Sequence, residues 1–542
     1  MTGFNLIGDP WVPVTVDGRR TEVSVTDALT RAHEIDGLAL DDPLQGVAVL
    51  RQVLLPFVLD ALGAPRDAEQ WADRWAAAAG KDAYKRDSAK RDAEKLAKHL
   101  GKQADRFELF HPTRPFGQVA GLRTAKDETK PVSLLLASVA TGNNVPLFTA
   151  RTEAEPPTLS PAQAARALLA AHCWDTAAIK SGVVGDPQVK AGKTTGNPTG
   201  PLGQLGVVVP MGRTLAETLL LNTPILPQGL RPGDRPQWRT EEPASPRWDA
   251  RPAKGLLDVL TWQSRRIRLI PTTDASGATV VREVVLAAGD RLDQTPQFEP
   301  HTAWRQEEKP KAGQPPRRPV RHQPGRSAWR GMAGLLAIRQ PTGERVSSSL
   351  LLSQVADLRG QGCLPVDLPL RVLTVGVAYG NQSAVVEDVM VDAIPLPVAA
   401  LAAEGEVRGL LLDVVSQARQ LQDAANRLGD DIRRASGGDK QPWDKGQRVG
   451  DALVHEFTPV VRRLLAGLQR QPDRADEAEA AWRHSAYRLA LQAAEPVLAS
   501  APPKAFLGRQ ENEKAVFRTS VAEARYRAAV RDILGVHPGT TH

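Results

Sequence analysis

Beyond residue 399 the apolar residues fall at Val407, Leu411, Val414, Ala418, Leu421, Ala425, Leu428 and Ile432. Steps of three and four put them on one face of a helix and nowhere else. Gly437-Gly438 closes that helix, because glycine takes the left-handed conformation in which helices commonly end. A second stripe follows at Leu453, Phe457, Val460, Leu464 and Leu468, with Pro459 expected to kink it. Residues 473–500 and 514–534 supply two more helical segments, separated by Pro502-Pro503. A lone amphipathic helix leaves its stripe in water, whereas four joined by short connections cover one another's. The tail is therefore expected to be a four-helix bundle.

The first 398 residues have no such regularity. Residues 12–16 and 21–25 flank Asp17-Gly18, a pair that tolerates positive φ at both positions, so a hairpin is expected. Ser24 and Thr26 supply caps for the helix that follows. Pro43–Leu62 reads as an apolar helix interrupted near Pro56. Residues 81–106 interleave acids and bases at helical spacing, as an exposed helix held by side-chain pairs would. Pro161–Trp174 is rich in Ala and Leu, with its proline at the tolerated first turn. Residues 267–271 and 278–286 bracket a second hairpin; 370–379 and 384–391 bracket a third around Gly380-Asn381-Gln382-Ser383. Between 181 and 206 glycines alternate with prolines and lysines, which excludes a helix or a central strand. A loop of that length is usually either functional or disordered. The fold class is α+β: a large mixed N-terminal domain over 1–398 followed by a C-terminal four-helix bundle over 399–542.

Composition narrows the function. Hydrophobic residues make up 42% and charged residues 24% of the 542, ordinary values for a globular chain. Apolar runs such as 53–59 fall short of the roughly 18 residues that suggest a membrane span, and the first residues lack a basic region followed by an apolar core. Two cysteines, Cys173 and Cys363, support neither a disulfide framework nor a four-cysteine zinc site. A soluble, cytoplasmic protein is expected, with no membrane partner, metal or cofactor. Sixty-nine Lys and Arg against 62 Asp and Glu give a net charge of +7, compatible with a polyanion but spread over a long chain. The excess is local in 301–330, where Arg305, Lys309, Lys311, Arg317, Arg318, Arg321, Arg326 and Arg330 face Glu307 and Glu308 among five prolines. Such a stretch is expected to be extended and exposed, either a solvated insertion or a phosphate-contacting arm.

Catalytic signatures are nearly absent. Gly192-Lys193-Thr194 ends like a phosphate-binding loop, but Pro187 stands where that motif needs glycine and no strand immediately precedes it. His455-Glu456 opens like a zinc-protease helix, yet Pro459 occupies the position of the second ligand. His172-Cys173 reads as packed helix rather than nucleophile and base. A binding protein is expected, not an enzyme. On the residues alone, Gln382 is a polar turn residue or an exposed contact, and Phe148 a core residue or an exposed ring; each alternative stays open.

Six motifs in order carry a resemblance. They are 4–14 (Phe-Asn-Leu-Ile-Gly-Asp-Pro-Trp-Val-Pro-Val), 111–118 (His-Pro-Thr-Arg-Pro-Phe-Gly-Gln), 142–148 (Gly-Asn-Asn-Val-Pro-Leu-Phe), 179–182 (Ile-Lys-Ser-Gly), 261–269 (Thr-Trp-Gln-Ser-Arg-Arg-Ile-Arg-Leu) and Gly380-Asn381-Gln382. With the helical tail they resemble the CasA family, large subunits of the type I-E CRISPR surveillance complex Cascade, over nearly the whole chain. The resemblance implies a non-catalytic subunit at the 5′ end of the crRNA. It would read the protospacer-adjacent motif (PAM) of double-stranded target DNA, help open the duplex for R-loop formation and recruit the Cas helicase-nuclease. Its implied partners are crRNA, target DNA, the backbone, small and crRNA 5′-end subunits of Cascade, and that helicase-nuclease. Gln382, with Asn381 and Ser383, matches the family's DNA wedge, and Phe148 its contact to the crRNA 5′ handle. The glycine-rich loop matches the minor-groove PAM reader: Gly182 and Gly185 are the expected backbone readers, with Lys180, Lys190 and Lys193 on phosphates. Minor-groove readout is degenerate, so a permissive PAM is expected.

Two departures stand out. A lysine that relatives place near the 270–281 hairpin has no match here; Thr272-Thr273-Asp274 occupies the region, leaving Arg282 as the substitute or the contact missing. The 301–330 stretch has no counterpart, and Arg317, Arg318 and Arg321 are its candidate contacts to flanking duplex.

Overall fold

The computed structural model describes residues 3–78, 83–139, 157–307, 309–310, 315–336, 345–402, 404–442, 446, 448–512 and 515–536. The chain divides into two compact units. One comprises Met1–Arg326, Ala337–Pro365 and Leu370–Ala393; the other holds Ser327–Leu336, Val366–Pro369 and Ile394–His542.

The first unit mixes short sheets with helices. Strands β1 (Val12–Val16) and β2 (Arg19–Val23) pair antiparallel, with Val16 opposite Arg19. Asp17 and Gly18 at the tip have φ of 50° and 71°, the two positive values that a tight hairpin turn requires. Pro43–Leu62 is long and apolar enough to cross a membrane, yet it is 83% buried within the unit. Its interruption lies one turn earlier than expected: Leu50–Leu54 is a π-helical turn, and Leu55–Leu62 resumes the α-helix through Pro56. A proline ring collides with the carbonyl four residues back, here Gln52, and the wider turn makes room. That turn also carries Arg51, 2% exposed, onto Glu299 at 2.5 and 3.0 Å and His301 at 2.9 Å. Burial alone would raise the Glu299 carboxyl, but the Arg51 charge and the His301 bond more than offset it and hold it well below the carboxylate range.

Helix α1 (Pro161–Trp174) has the expected bounds. Ser160 and Gln163 form a reciprocal capping box, and Pro161 stands where its missing N–H is not needed. It is buried along nearly its whole length. Downstream lie β3 (Lys180–Ser181), β4 (Lys193–Thr194), β5 (Val207–Met211), β6 (Arg265–Thr273) and β7 (Thr279–Ala288). The long hairpin β6–β7 packs Ile267, Leu269, Val281, Val284 and Leu286 into the same core as α1.

The 301–330 stretch departs from expectation. It begins in the core, with His301 and Thr302 fully buried, and folds into antiparallel strands β8 (Trp304–Gln306) and β9 (Arg317–Pro319). The Arg317 guanidinium lies 5.1 Å over the Trp304 ring and donates to Ser347 Oγ at 3.0 Å. Arg318 pairs with Glu307 at 3.5 Å. These two arginines are held by packing and pairing, so the extended arm is corrected to a strand pair; Arg321 keeps an exposed side chain. Strands β10 (Arg371–Gly380) and β11 (Val385–Pro395) complete a three-stranded sheet in the order β11-β10-β5.

In the second unit, α2 (Glu406–Ala435), α3 (Val449–Arg470), α4 (Ala475–Ala499) and α5 (Thr519–Leu534) pack through their apolar faces. Pro459 lies inside α3 on its exposed side, and the buried stripe runs through Val461 rather than Val460. Ala486 and Ala490 let α4 approach closely, and Tyr526 donates to Ala490 O at 2.7 Å. The final helix starts later than residue 514, because Ala515–Phe517 pairs with Arg509–Asn512 as a small hairpin.

His172, in α1, gives the first unit a defined acid sensitivity. Burial pushes its imidazole down from 6.5 to about 4. The unfolded chain therefore takes up a proton at about 6.5 that the folded chain refuses until about 4. This stability is complete above pH 6.5 and is lost as pH falls through that window, roughly 3 kcal/mol in all. Chemical denaturation of wild type and His172→Gln between pH 7 and 4 should show a shallower loss in the variant, whose amide can still donate to Gly117 O. Parallel profiles would mean that His172 is protonated in the fold.

Candidate nucleic-acid interface

The hairpin β10–β11 is closed by Asn381, Gln382 and Ser383, with φ of 35°, 57° and 60°. None is a glycine, and a left-handed residue with a Cβ costs about 1–2 kcal/mol. Such a run persists only where its surroundings fix it. Here Ala384 N donates to Asn381 O at 3.1 Å, and Ala177 N donates to Ser383 O at 2.8 Å. Asn381 and Gln382 are exposed; Ser383 is half-buried.

The glycine-rich stretch is more ordered than its composition suggests. Strands β3 and β4 pair antiparallel, and Lys190 and Lys193 exchange backbone hydrogen bonds of 2.9 and 3.1 Å around Ala191-Gly192. Asp186 is the buried anchor: its carboxylate accepts from Gln188 N at 2.9 Å, Thr194 Oγ1 at 3.2 Å and Trp248 Nε1 at 3.2 Å. Lys190 and Lys193 are both exposed and stand opposite each other across the turn. Like charges so placed destabilise a strand pair unless an anion sits between them.

The two expected glycines differ. Gly182 is buried, and a Cβ there would lie 2.5 Å from Val189 Cγ1 and 2.8 Å from Gly192 C. It is required for packing inside the loop. Gly185 is exposed with φ of 91°, leaving its backbone at the surface. Lys180 is 6% exposed and pairs with Asp175 at 2.7 Å, so its ammonium is committed within the protein and the phosphate role expected of it is corrected. Phe148 lies outside the described residues.

The roots of the glycine-rich loop meet at Arg265, in β6. Its Nε donates to Asp175, Nη1 to Ser264 O at 2.7 Å, and Nη2 to Thr176 O and Pro198 O at 2.8 Å each. Burial would raise the Asp175 carboxyl, but Lys180 and Arg265 more than offset it and hold it low. Burial and the neighbouring Arg265 lower the Lys180 ammonium, with Asp175 opposing them. Asp175, Arg265 and Asp186 are not among the residues that the sequence singles out for the site. The usable signal was Arg265-Arg266 at the head of an apolar strand, where two charges need internal partners.

Hydrogen bonds tie the 381–383 tip to the segment that enters the glycine loop, and Arg321 to the loop's far end. Ala177 and Ser383 are bonded as described, Gly206 N donates to Val320 O at 2.9 Å, and Arg321 Nε donates to Gln204 O at 3.1 Å. Arg317 and Arg318 stay with their own strand pair. Arg282 is exposed at a bulge in the β6–β7 register and donates to Thr158 Oγ1 at 3.2 Å. Bulges re-aim a side chain away from the ladder. Among the described residues, no group of three or more His, Cys, Asp or Glu is placed to hold a metal ion.

The sequence profile of the family described as CRISPR-associated protein Cse1 matches residues 5–493. The CRISPR-associated protein CasA/Cse1 of Thermus thermophilus is 31% identical over 471 residues, covering 85% of this chain and 83% of its own length. The crystal structure of Thermobifida fusca Cse1 superposes with a TM-score of 0.84 at 33% identity over 99% of each chain. A chain of a CRISPR RNA-guided surveillance complex shares the fold, with a TM-score of 0.66 and 20% identity over 98% of this chain and 100% of its own.

The close approach at Gly182 is testable. In Gly182→Ala the added methyl should force β3 from β4 and open the loop. A penalty of about 1.4 kcal/mol makes trypsin cleavage after Lys190 and Lys193 on the order of tenfold faster. Mass spectrometry of limited digests reads this directly; unchanged cleavage would mean that the loop tolerates a Cβ there.

Proposed function

The chain belongs to the CRISPR-associated Cse1 (CasA) family, and on that premise we propose that it is the large, non-catalytic subunit of a type I-E Cascade complex. It reads the PAM of double-stranded DNA, starts strand separation for the crRNA, and recruits the Cas helicase-nuclease in antiviral defence. The observation that carries this reading is the tip Asn381-Gln382-Ser383: exposed at Asn381 and Gln382, conformationally forced, and bonded through Ser383 to the segment that enters the glycine loop.

The chemistry supports a division of labour. Gly185 and the 190–193 turn present backbone and two ammonium groups at the surface, suited to a narrow groove lined by phosphates. Gln382 extends from a tip only a few residues wide. A wedge at a base step offsets the stacking that it disrupts with its own contacts, and the carboxamide can both donate to and accept from base edges. Arg321, exposed beside the loop's far end, is placed for flanking phosphates, whereas Arg317 and Arg318 support the strand beneath it. In the second unit the four long helices act as the family's C-terminal four-helix bundle, a rigid docking body for partner subunits and for the helicase-nuclease. Base pairing with the guide then reads the remaining sequence, as in other RNA-guided effectors.

The deciding experiment compares assembled complexes carrying wild-type chain or Gln382→Ala. Each is titrated against a matched PAM duplex, a mutated-PAM duplex, and a matched target already unpaired beside the PAM. The variant should bind the closed duplex at least tenfold more weakly, as expected when about 1.4 kcal/mol or more is lost, and should match wild type on the unpaired target. Equal binding of all three targets by both complexes would remove the wedge from Gln382.

A further inference from the structure

The segment 174–180, between the end of α1 and the start of β3, makes bonds to both halves of the proposed DNA-opening site. Trp174 O accepts from the Tyr379 hydroxyl at 2.6 Å, on the last turnward residues of β10. Ala177 N donates to Ser383 O at 2.8 Å, in the tip itself. On the other side, Asp175 O accepts from Gly200 N at 2.8 Å, and Lys180 enters the strand pair with Thr194. The middle is fixed by Arg265 through Asp175 and Thr176. No comparable bond is needed to hold a two-stranded hairpin closed, since the hairpin's own ladder does that.

We propose that 174–180 is a strut that sets the wedge tip relative to the glycine loop, with Tyr379 as its positioning residue, so that engaging a PAM duplex and parting the adjacent base pair become one event. This deepens the wedge reading and rests on it. The ligand is duplex DNA held at the loop, and the strut transmits its placement to Gln382. A tip with three left-handed residues has other conformations of lower backbone cost; the bonds to Trp174 O and Ser383 O keep it in the one observed. Tyr379 touches no DNA in this account. Its ring fills the space above Gly203, where a Cβ would lie 2.3 Å from the hydroxyl oxygen. Phenylalanine would keep that packing and lose the donor.

The test uses assembled complexes carrying wild-type chain, Tyr379→Phe, Gln382→Ala, the double variant, and Lys180→Met. Opening is followed as fluorescence of 2-aminopurine beside the PAM, and initial PAM-dependent binding is measured separately on the closed duplex. Tyr379→Phe should slow opening about fivefold, the effect of one neutral hydrogen bond, while initial binding and affinity for the pre-opened target stay unchanged. Lys180→Met, which loosens the strut at its far end, should slow opening in the same way. In the double variant Tyr379→Phe should add nothing to Gln382→Ala, because a mispositioned wedge and a missing one fail at the same step. Opening at wild-type speed in both Tyr379→Phe and Lys180→Met, or additive slowing in the double variant, overturns the strut while a Gln382→Ala defect leaves the wedge standing. If Gln382→Ala itself opens DNA at full speed, the wedge reading falls and takes the strut with it.

Discussion

Arg265 is 1% exposed, and a guanidinium so deep in a fold is tolerable only with its donors satisfied and its charge balanced. Asp175 supplies the charge, and the carbonyls of Ser264, Thr176 and Pro198 supply the acceptors. These partners come from the exit of α1, which leads into the glycine loop, and from the loop's far root at Pro198, so satisfying one buried cation fixes two chain segments against β6. Lys180 adds a second cation to the same carboxylate. Replacing a buried pair by apolar residues can be neutral, but removing one partner typically costs about 3–5 kcal/mol. The loop is thus built onto the core through charge, while its outer turn presents Lys190 and Lys193 at the surface.

The same logic separates two uses of glycine. At Gly182, Gly200 and Gly206 a Cβ would come within 2.5 Å of a neighbouring atom, twice a backbone carbonyl oxygen. Those glycines let strands and loop roots pack at backbone contact. Gly185 instead sits at the surface in a conformation that side chains rarely adopt. Composition alone merges the two, which is why Gly182 and Gly185 look equivalent in sequence although one is buried and the other is at the surface.

What was legible follows from range. α1 is read end to end because Ser160, Pro161 and Gln163 state its start within four residues, and Asp17-Gly18 and Gly380-Asn381-Gln382-Ser383 state their turns equally locally. The α2 stripe is carried by its own periodicity. In the next helix Val460 stands in the expected stripe for the buried Val461, because steps of three and four from Phe457 reach either residue. The proline- and arginine-rich stretch misled more, since Trp304 and Ser347, which hold Arg317, lie 13 and 30 residues away. Asp175 and Arg265 are 90 residues apart and share no spacing rule. Gln382 is matched by the family's motif alone, whereas the bonds that hold its tip join residues some 205 positions apart, which no local rule reads.

The chemistry of the tip argues for its side chains. Glycine at 381, 382 or 383 would relieve left-handed strain worth about 1–2 kcal/mol per residue, and hairpin turns elsewhere in this chain use it, at Gly18, Gly192 and Gly277. A tip selected for stability alone would take that relief. Asn381 and Ser383 carry short polar groups of the kind that tolerate this region best, whereas Gln382, the longest of the three, gains least from local hydrogen bonding. Its strain is offset from outside, by Ala177 beneath the tip and by Tyr379 on the strand that leads into it. A carboxamide held out at that cost fits the wedge role proposed for Gln382, in which contacts made to a base step would offset the strain of presenting it.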